Sequence, residues 1–124
     1  MKKQAIVIII TIILVAGAFG IYTVYTVLSS NQAYSEKLDV FSKCLGGKNA
    51  TMYGAYWCTH CQNQKAMFGG AFKNINYVEC TQAQDACLSA GVTGFPTWVI
   101  NGKMLVGEQT LQRLSAASGC EWSG

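Results

Sequence analysis

Met52-Tyr53-Gly54-Ala55-Tyr56-Trp57-Cys58-Thr59-His60-Cys61-Gln62 places two cysteines two residues apart, directly after a short β-prone run. Ala50 to Ala55 reads as a strand. The following segment turns from polar to apolar, with Cys61, Phe68 and Phe72 able to share one face of a helix that begins near Cys58. Gly69-Gly70 should weaken or bend that helix, since each glycine costs about 1 kcal/mol against alanine in a helix interior. Two cysteines at a helix start can close a small disulfide ring, and the positive end of the helix stabilises the thiolate of the first. His60, the only histidine in the chain, lies inside the motif, where an imidazolium adds to the same effect. A stabilised thiolate favours the reduced pair and makes the disulfide a better oxidant. Cys58 is therefore expected to exchange with substrate, and Cys61, one turn inside, to resolve the mixed disulfide.

Upstream, Tyr34 to Leu45 carries Leu38, Phe41 and Leu45 at helical spacing, with Ser35 as a candidate N-cap and Gly46-Gly47 as the stop. Downstream, Ile75 to Glu79 alternates as a strand, and Gln82 to Ala90 reads as a short helix ending at Gly91. Thr97 to Ile100 and Met104 to Val106 are strands joined around Asn101-Gly102, a strong hairpin signal. Thr110 to Ser118 closes the chain as a helix before Gly119. The order α-β-α-β-α-β-β-α implies an α/β fold, a small central mixed sheet flanked by helices.

The chain has 124 residues, 51% of them hydrophobic and 12% charged. Ala5 to Leu28 holds 24 residues without a charge. As a helix it would be about 36 Å long, enough to cross a hydrocarbon core of about 30 Å. Lys2 and Lys3 precede it and favour a cytoplasmic N-terminus, so the rest of the chain is expected outside, with Tyr22 and Tyr25 at the outer interface. A cleaved signal peptide, processed near Ala18, is the competing reading. The domain division is then 1–4 cytoplasmic, 5–28 transmembrane signal anchor, 29–33 linker and 34–124 extracytoplasmic domain. Beyond the apolar run the charges nearly balance, seven basic against six acidic, which argues against nucleic-acid binding.

Six cysteines suit an oxidising compartment. Cys80 and Cys87 are close enough in sequence to close a small loop, as a structural disulfide or a second exchange pair. Cys44 and Cys120 then pair by parity, one of fifteen possible arrangements of six cysteines. A zinc site built from Cys58, Cys61, Cys80 and Cys87 is the main alternative, weakened by the wide spacing of the second pair. Trp57 could shape a substrate surface, whereas Trp98 reads better as core.

The segment from Met52 to Gln62, together with Gly94-Phe95-Pro96-Thr97, resembles the thioredoxin superfamily. With Tyr77-Val78-Glu79-Cys80 and Ile100-Asn101-Gly102 added, it is most similar to the thioredoxin-like domain associated with bacterial vitamin K epoxide reductase homologues. The resemblance implies a thioredoxin-like fold, exchange at Cys58, resolution at Cys61, and a cis-proline loop at Phe95-Pro96 that faces the pair and binds an extended substrate segment. It also implies reoxidation by a quinone-linked membrane oxidoreductase, expected as a separate partner. Two positions depart from the pattern. Thr59 stands where the family often has proline, and Met52 stands where thioredoxins carry a buried acid, so a dedicated internal base is expected to be missing.

These readings make the chain a membrane-anchored thiol-disulfide oxidoreductase with no bound cofactor or metal, acting on thiols of exported proteins through the redox-active pair Cys58-Cys61. The same site run in reverse gives a reductase or isomerase, for instance in cytochrome c maturation. A non-enzymatic zinc or protein-binding module is the reading of a different class.

Overall fold

A computed structural model describes residues 1–124. The chain divides into two compact units, Met1–Tyr34 and Ser35–Gly124. The first helix, α1, is assigned from Lys2 to Gly47. It therefore begins far ahead of Ser35, which lies in its interior and does not cap it. The five residues read as a linker, 29–33, are helical too.

In the first unit the large apolar side chains from Ile6 to Leu28 are exposed. This segment is long and apolar enough to cross a membrane. Its threonine hydroxyls are satisfied locally: Thr11, Thr23 and Thr26 each donate to the carbonyl three residues back. Such bonding removes the cost of carrying a hydroxyl in an apolar medium.

The second unit has a four-stranded sheet in the order β2-β1-β3-β4. The strands are β1 (Thr51–Gly54), β2 (Asn76–Glu79), β3 (Thr97–Ile100) and β4 (Lys103–Val106). β1 runs parallel to β2 and antiparallel to β3, and β3 and β4 form an antiparallel hairpin. Asn101 and Gly102 turn that hairpin with φ of 51° and 75°, the left-handed pair that a tight two-residue connection demands. The flanking helices are α2 (Thr59–Phe68), α3 (Gln84–Ser89) and α4 (Leu111–Ser118). This mixed sheet with its flanking helices is a thioredoxin-like fold.

The glycine pair does more than bend α2. The α-helix ends at Phe68, and Gly69–Asn74 continues as a 3-10 helix, with Gly69 at φ 52° and its N–H returned to the last carbonyls of α2. The core joins Leu38, Phe41 and Leu45 to Met52, Phe68, Trp98, Ile100 and Leu114. Trp98 is completely buried, a core residue. Phe68 meets Phe41, Phe72 and Trp98 at ring separations near 6 Å, so the last turn of α2 is held at the centre of the aromatic cluster.

Candidate active site

β1 delivers the chain to Ala55, Tyr56 and Trp57, and α2 starts where Cys58 acts as its N-cap. Cys58 is extended, and its sulfur accepts the Cys61 N–H at 3.2 Å. A cap normally supplies an oxygen to the free N–H groups of the first turn. Here the acceptor is sulfur, and a thiolate would accept the same bond more strongly at the positive end of the helix. Cys58 and Cys61 are free thiols. Both are buried, Cys58 at 7% exposure and Cys61 at 0%, so Cys58 is only marginally the more accessible sulfur.

The residues beside the pair are open to solvent. Tyr56 and Trp57 are exposed, and Trp57 meets the Phe95 ring edge-on at 6.1 Å. The Phe95-Pro96 peptide bond is cis, and Pro96 is fully buried. Pro96 is tied from behind, since its carbonyl accepts the Gly107 N–H at 2.7 Å.

His60 is exposed but has a partner. Its Nδ1 lies 2.5 Å from Glu108 Oε1, and Asn63 donates to the same oxygen at 3.2 Å. The bond from His60, followed by that from Asn63, holds the Glu108 carboxyl below the usual range. The next residue is clamped as well. Buried Gln64 accepts the Gln109 N–H at 2.6 Å and donates back to the Gln109 carbonyl at 3.1 Å. The 107–109 segment thus bonds to Pro96 on one side and to α2 on the other, which links the proline loop to the helix bearing the cysteines. Nothing in the local sequence marked Glu108, Gln64 or Gln109, because their partners lie 45 or more residues away.

The remaining four cysteines are bonded, Cys44 to Cys120 and Cys80 to Cys87. A disulfide between Cys80 and Cys87 removes two ligands from the four-cysteine zinc alternative. Cys80 follows β2, whose Tyr77 and Glu79 stand close to the site. Tyr77 donates its hydroxyl to Glu79 Oε2 at 2.8 Å. Glu79 Oε1 accepts from the Tyr56 N–H, the Thr81 N–H and the Thr81 hydroxyl. Burial pushes the Glu79 carboxyl up, but the bonds from Thr81, Tyr77 and Tyr56 outweigh it and hold the group below its ordinary value. Burial and the adjacent Glu79 push the Tyr77 phenol up.

No family model matches the chain. It is 45% identical over 100 residues to the thiol-disulfide oxidoreductase LTO1 of Arabidopsis thaliana, a match covering 73% of this chain and 26% of that protein. The chain therefore spans about a quarter of the length of that relative.

Proposed function

We propose that this protein is a membrane-anchored thiol-disulfide oxidoreductase that oxidises thiols of exported proteins through Cys58 and Cys61. The observation that carries the reading is the placement of Cys58 as the sulfur cap of α2, accepting the N–H of Cys61. Similarity to a thiol-disulfide oxidoreductase supports the same chemistry. In the oxidised enzyme a substrate thiolate attacks Cys58, the Cys58–Cys61 bond breaks, and Cys61 leaves with the electron pair and takes up a proton. A second substrate thiolate then attacks the substrate sulfur of the mixed disulfide. The substrate disulfide forms, Cys58 leaves as the cap thiolate, and two electrons stay on the enzyme.

Trp57, Phe95 and Pro96 form the substrate side of the site. Exposed Trp57 offers apolar area beside the nucleophile, and the Phe95-Pro96 backbone receives an extended segment by strand addition. Residues 5–28 anchor the chain, with Lys2 and Lys3 on the cytoplasmic side and the domain beyond the membrane. A quinone-linked membrane oxidoreductase of the vitamin K epoxide reductase kind reoxidises the pair through its own disulfide.

The test is the reduction potential of Cys58–Cys61 in the full chain, equilibrated against glutathione in detergent micelles. A value above about −180 mV supports a disulfide-forming oxidase, and one near or below about −270 mV makes the protein a reductase. A Cys58→Ser variant that still oxidises a reduced, unfolded substrate would refute the assignment altogether.

A further inference from the structure

Burial, reinforced by the hydrogen bond with Cys58, pushes the Cys61 thiol up to about 12. Resolving a mixed disulfide on Cys58 nevertheless requires a Cys61 thiolate, because the thiol is not the nucleophile. On β1 the position six residues ahead of Cys58 is Met52, completely buried and unable to accept a proton.

The neighbouring strand carries the groups that β1 lacks. β2 lies parallel to β1 with Tyr77 opposite Met52 and Glu79 opposite Gly54. Strand alternation puts these four residues on one face of the sheet. Gly54 has no side chain to fill the space between its neighbours. A Cβ there would lie 3.0 Å from the Cys61 sulfur and 3.3 Å from the Tyr77 hydroxyl oxygen. Sulfur and phenol thus converge over one α-carbon, and the phenol already donates to Glu79. Lys65, one turn beyond Cys61, holds its ammonium 3.6 Å from the centre of the Tyr77 ring.

Building on the oxidoreductase reading above, we propose that Tyr77 and Glu79 form the proton relay that activates Cys61, doing from β2 what a buried acid on β1 would do. The Cys61 proton passes to the Tyr77 oxygen, directly or over one water, as the Tyr77 proton passes to the Glu79 carboxylate. The Cys61 thiolate, favoured by the Lys65 charge, attacks the Cys58 sulfur of the mixed disulfide. The Cys58–Cys61 bond forms, the bond from Cys58 to the partner sulfur breaks, and the partner sulfur leaves with the electron pair as a thiolate. Glu79 returns the proton to solvent. The titratable groups around Cys61 are Cys58 at the cap of α2, Lys65 on α2 and Tyr77 on β2, with Glu79 behind the phenol, while Met52, Gly54 and Trp98 on β1 and β3 carry no proton to exchange.

Two substitutions separate the relay from its scaffold. Glu79→Gln keeps an oxygen for the Tyr56 and Thr81 bonds, and Tyr77→Phe removes only the hydroxyl. The full chain in detergent micelles, reduced only at Cys58 and Cys61, is mixed with glutathione disulfide, quenched in acid and weighed intact. In the wild type a Cys58–glutathione adduct forms and then closes to the internal disulfide. Both variants are expected to form the adduct at the wild-type rate and to close it about 100-fold more slowly at pH 7, the gap shrinking as hydroxide takes over toward about pH 10. A role for Glu79 through charge alone predicts the reverse, because removing a nearby anion makes the thiolate easier to form. Closure at the wild-type rate, or faster closure in Glu79→Gln, overturns the relay. If wild-type Cys58 forms no adduct, the oxidoreductase reading falls together with it.

Discussion

Cys80 and Cys87 are as deeply buried as Cys58, at 7% and 5% exposure against 7%, yet the first two are joined and Cys58 is free. Accessibility is therefore not what separates the bonded cysteines from the free pair. The difference lies in what surrounds each sulfur. Cys80 and Cys87 connect the end of β2 to α3, and Cys44 and Cys120 connect the end of α1 to the segment after α4 across 76 residues. Cys58, by contrast, accepts a backbone N–H at a helix start, beside exposed Trp57 and the hydrogen-bonded His60 and Glu108. The lesson is that burial alone does not mark a cysteine as structural; what sets the free pair apart is its place at a helix start, with the Cys58 sulfur accepting the Cys61 N–H.

The largest effect expected from breaking this division is at Cys61. A Cys61→Ser variant should lose turnover entirely and accumulate its Cys58 adduct with a small disulfide, seen as a stable added mass. An adduct that clears at the wild-type rate would show that another sulfur resolves it. Replacing Cys44 and Cys120 together by alanine should instead leave the exchange chemistry intact while costing about 4.5 kcal/mol of stability on the chain-entropy model. That is a large part of what a domain this small can have. Replacing Cys80 and Cys87 opens a much shorter loop in the unfolded chain and should cost about 2.5 kcal/mol. Denaturant unfolding of the second unit within the full chain measures both. A larger loss from the short loop would mean that the Cys80–Cys87 bridge positions more than its own segment.

Local patterns made much of this legible. The Asn-Gly hairpin, the helix start at Cys58 and the strand before it are encoded within a few residues, through turn chemistry and periodicity. The start of α1 is not, because the apolar run and the amphipathic stretch after it carry different patterns on either side of a polar gap that is itself helical. The network around the site was also hidden. Gln64 with Gln109 and His60 with Glu108 are pairings across 45 and 48 residues, set by how the 107–109 segment folds over α2. The candidate relay is hidden for a related reason: β1 offers only Met52, and Tyr77 and Glu79 lie on the adjacent strand, where only the register Met52 to Tyr77 and Gly54 to Glu79 makes them neighbours. The alternation Tyr77-Val78-Glu79 signalled that two polar side chains share a face, but not which face.

Glu79 gives the smallest effect and the sharpest view of how the two cysteine groups are connected. It immediately precedes bonded Cys80 and accepts from Tyr56, two residues before free Cys58. Its carboxyl is held below the ordinary value of 4.5 by Thr81, Tyr77 and Tyr56, against the opposing push of burial. A carboxyl lowered in the folded state contributes stability that is present above its unfolded value and fades as pH falls through the folded one. Acidification from about pH 5 should therefore lower the melting temperature of the wild type more steeply than that of Glu79→Gln, whose side chain cannot be protonated in this range. Above pH 6 the two curves should run parallel. Equal slopes throughout would mean that these bonds do not distinguish the folded carboxylate from the unfolded one, leaving β2 and the exchange site joined by the sheet alone.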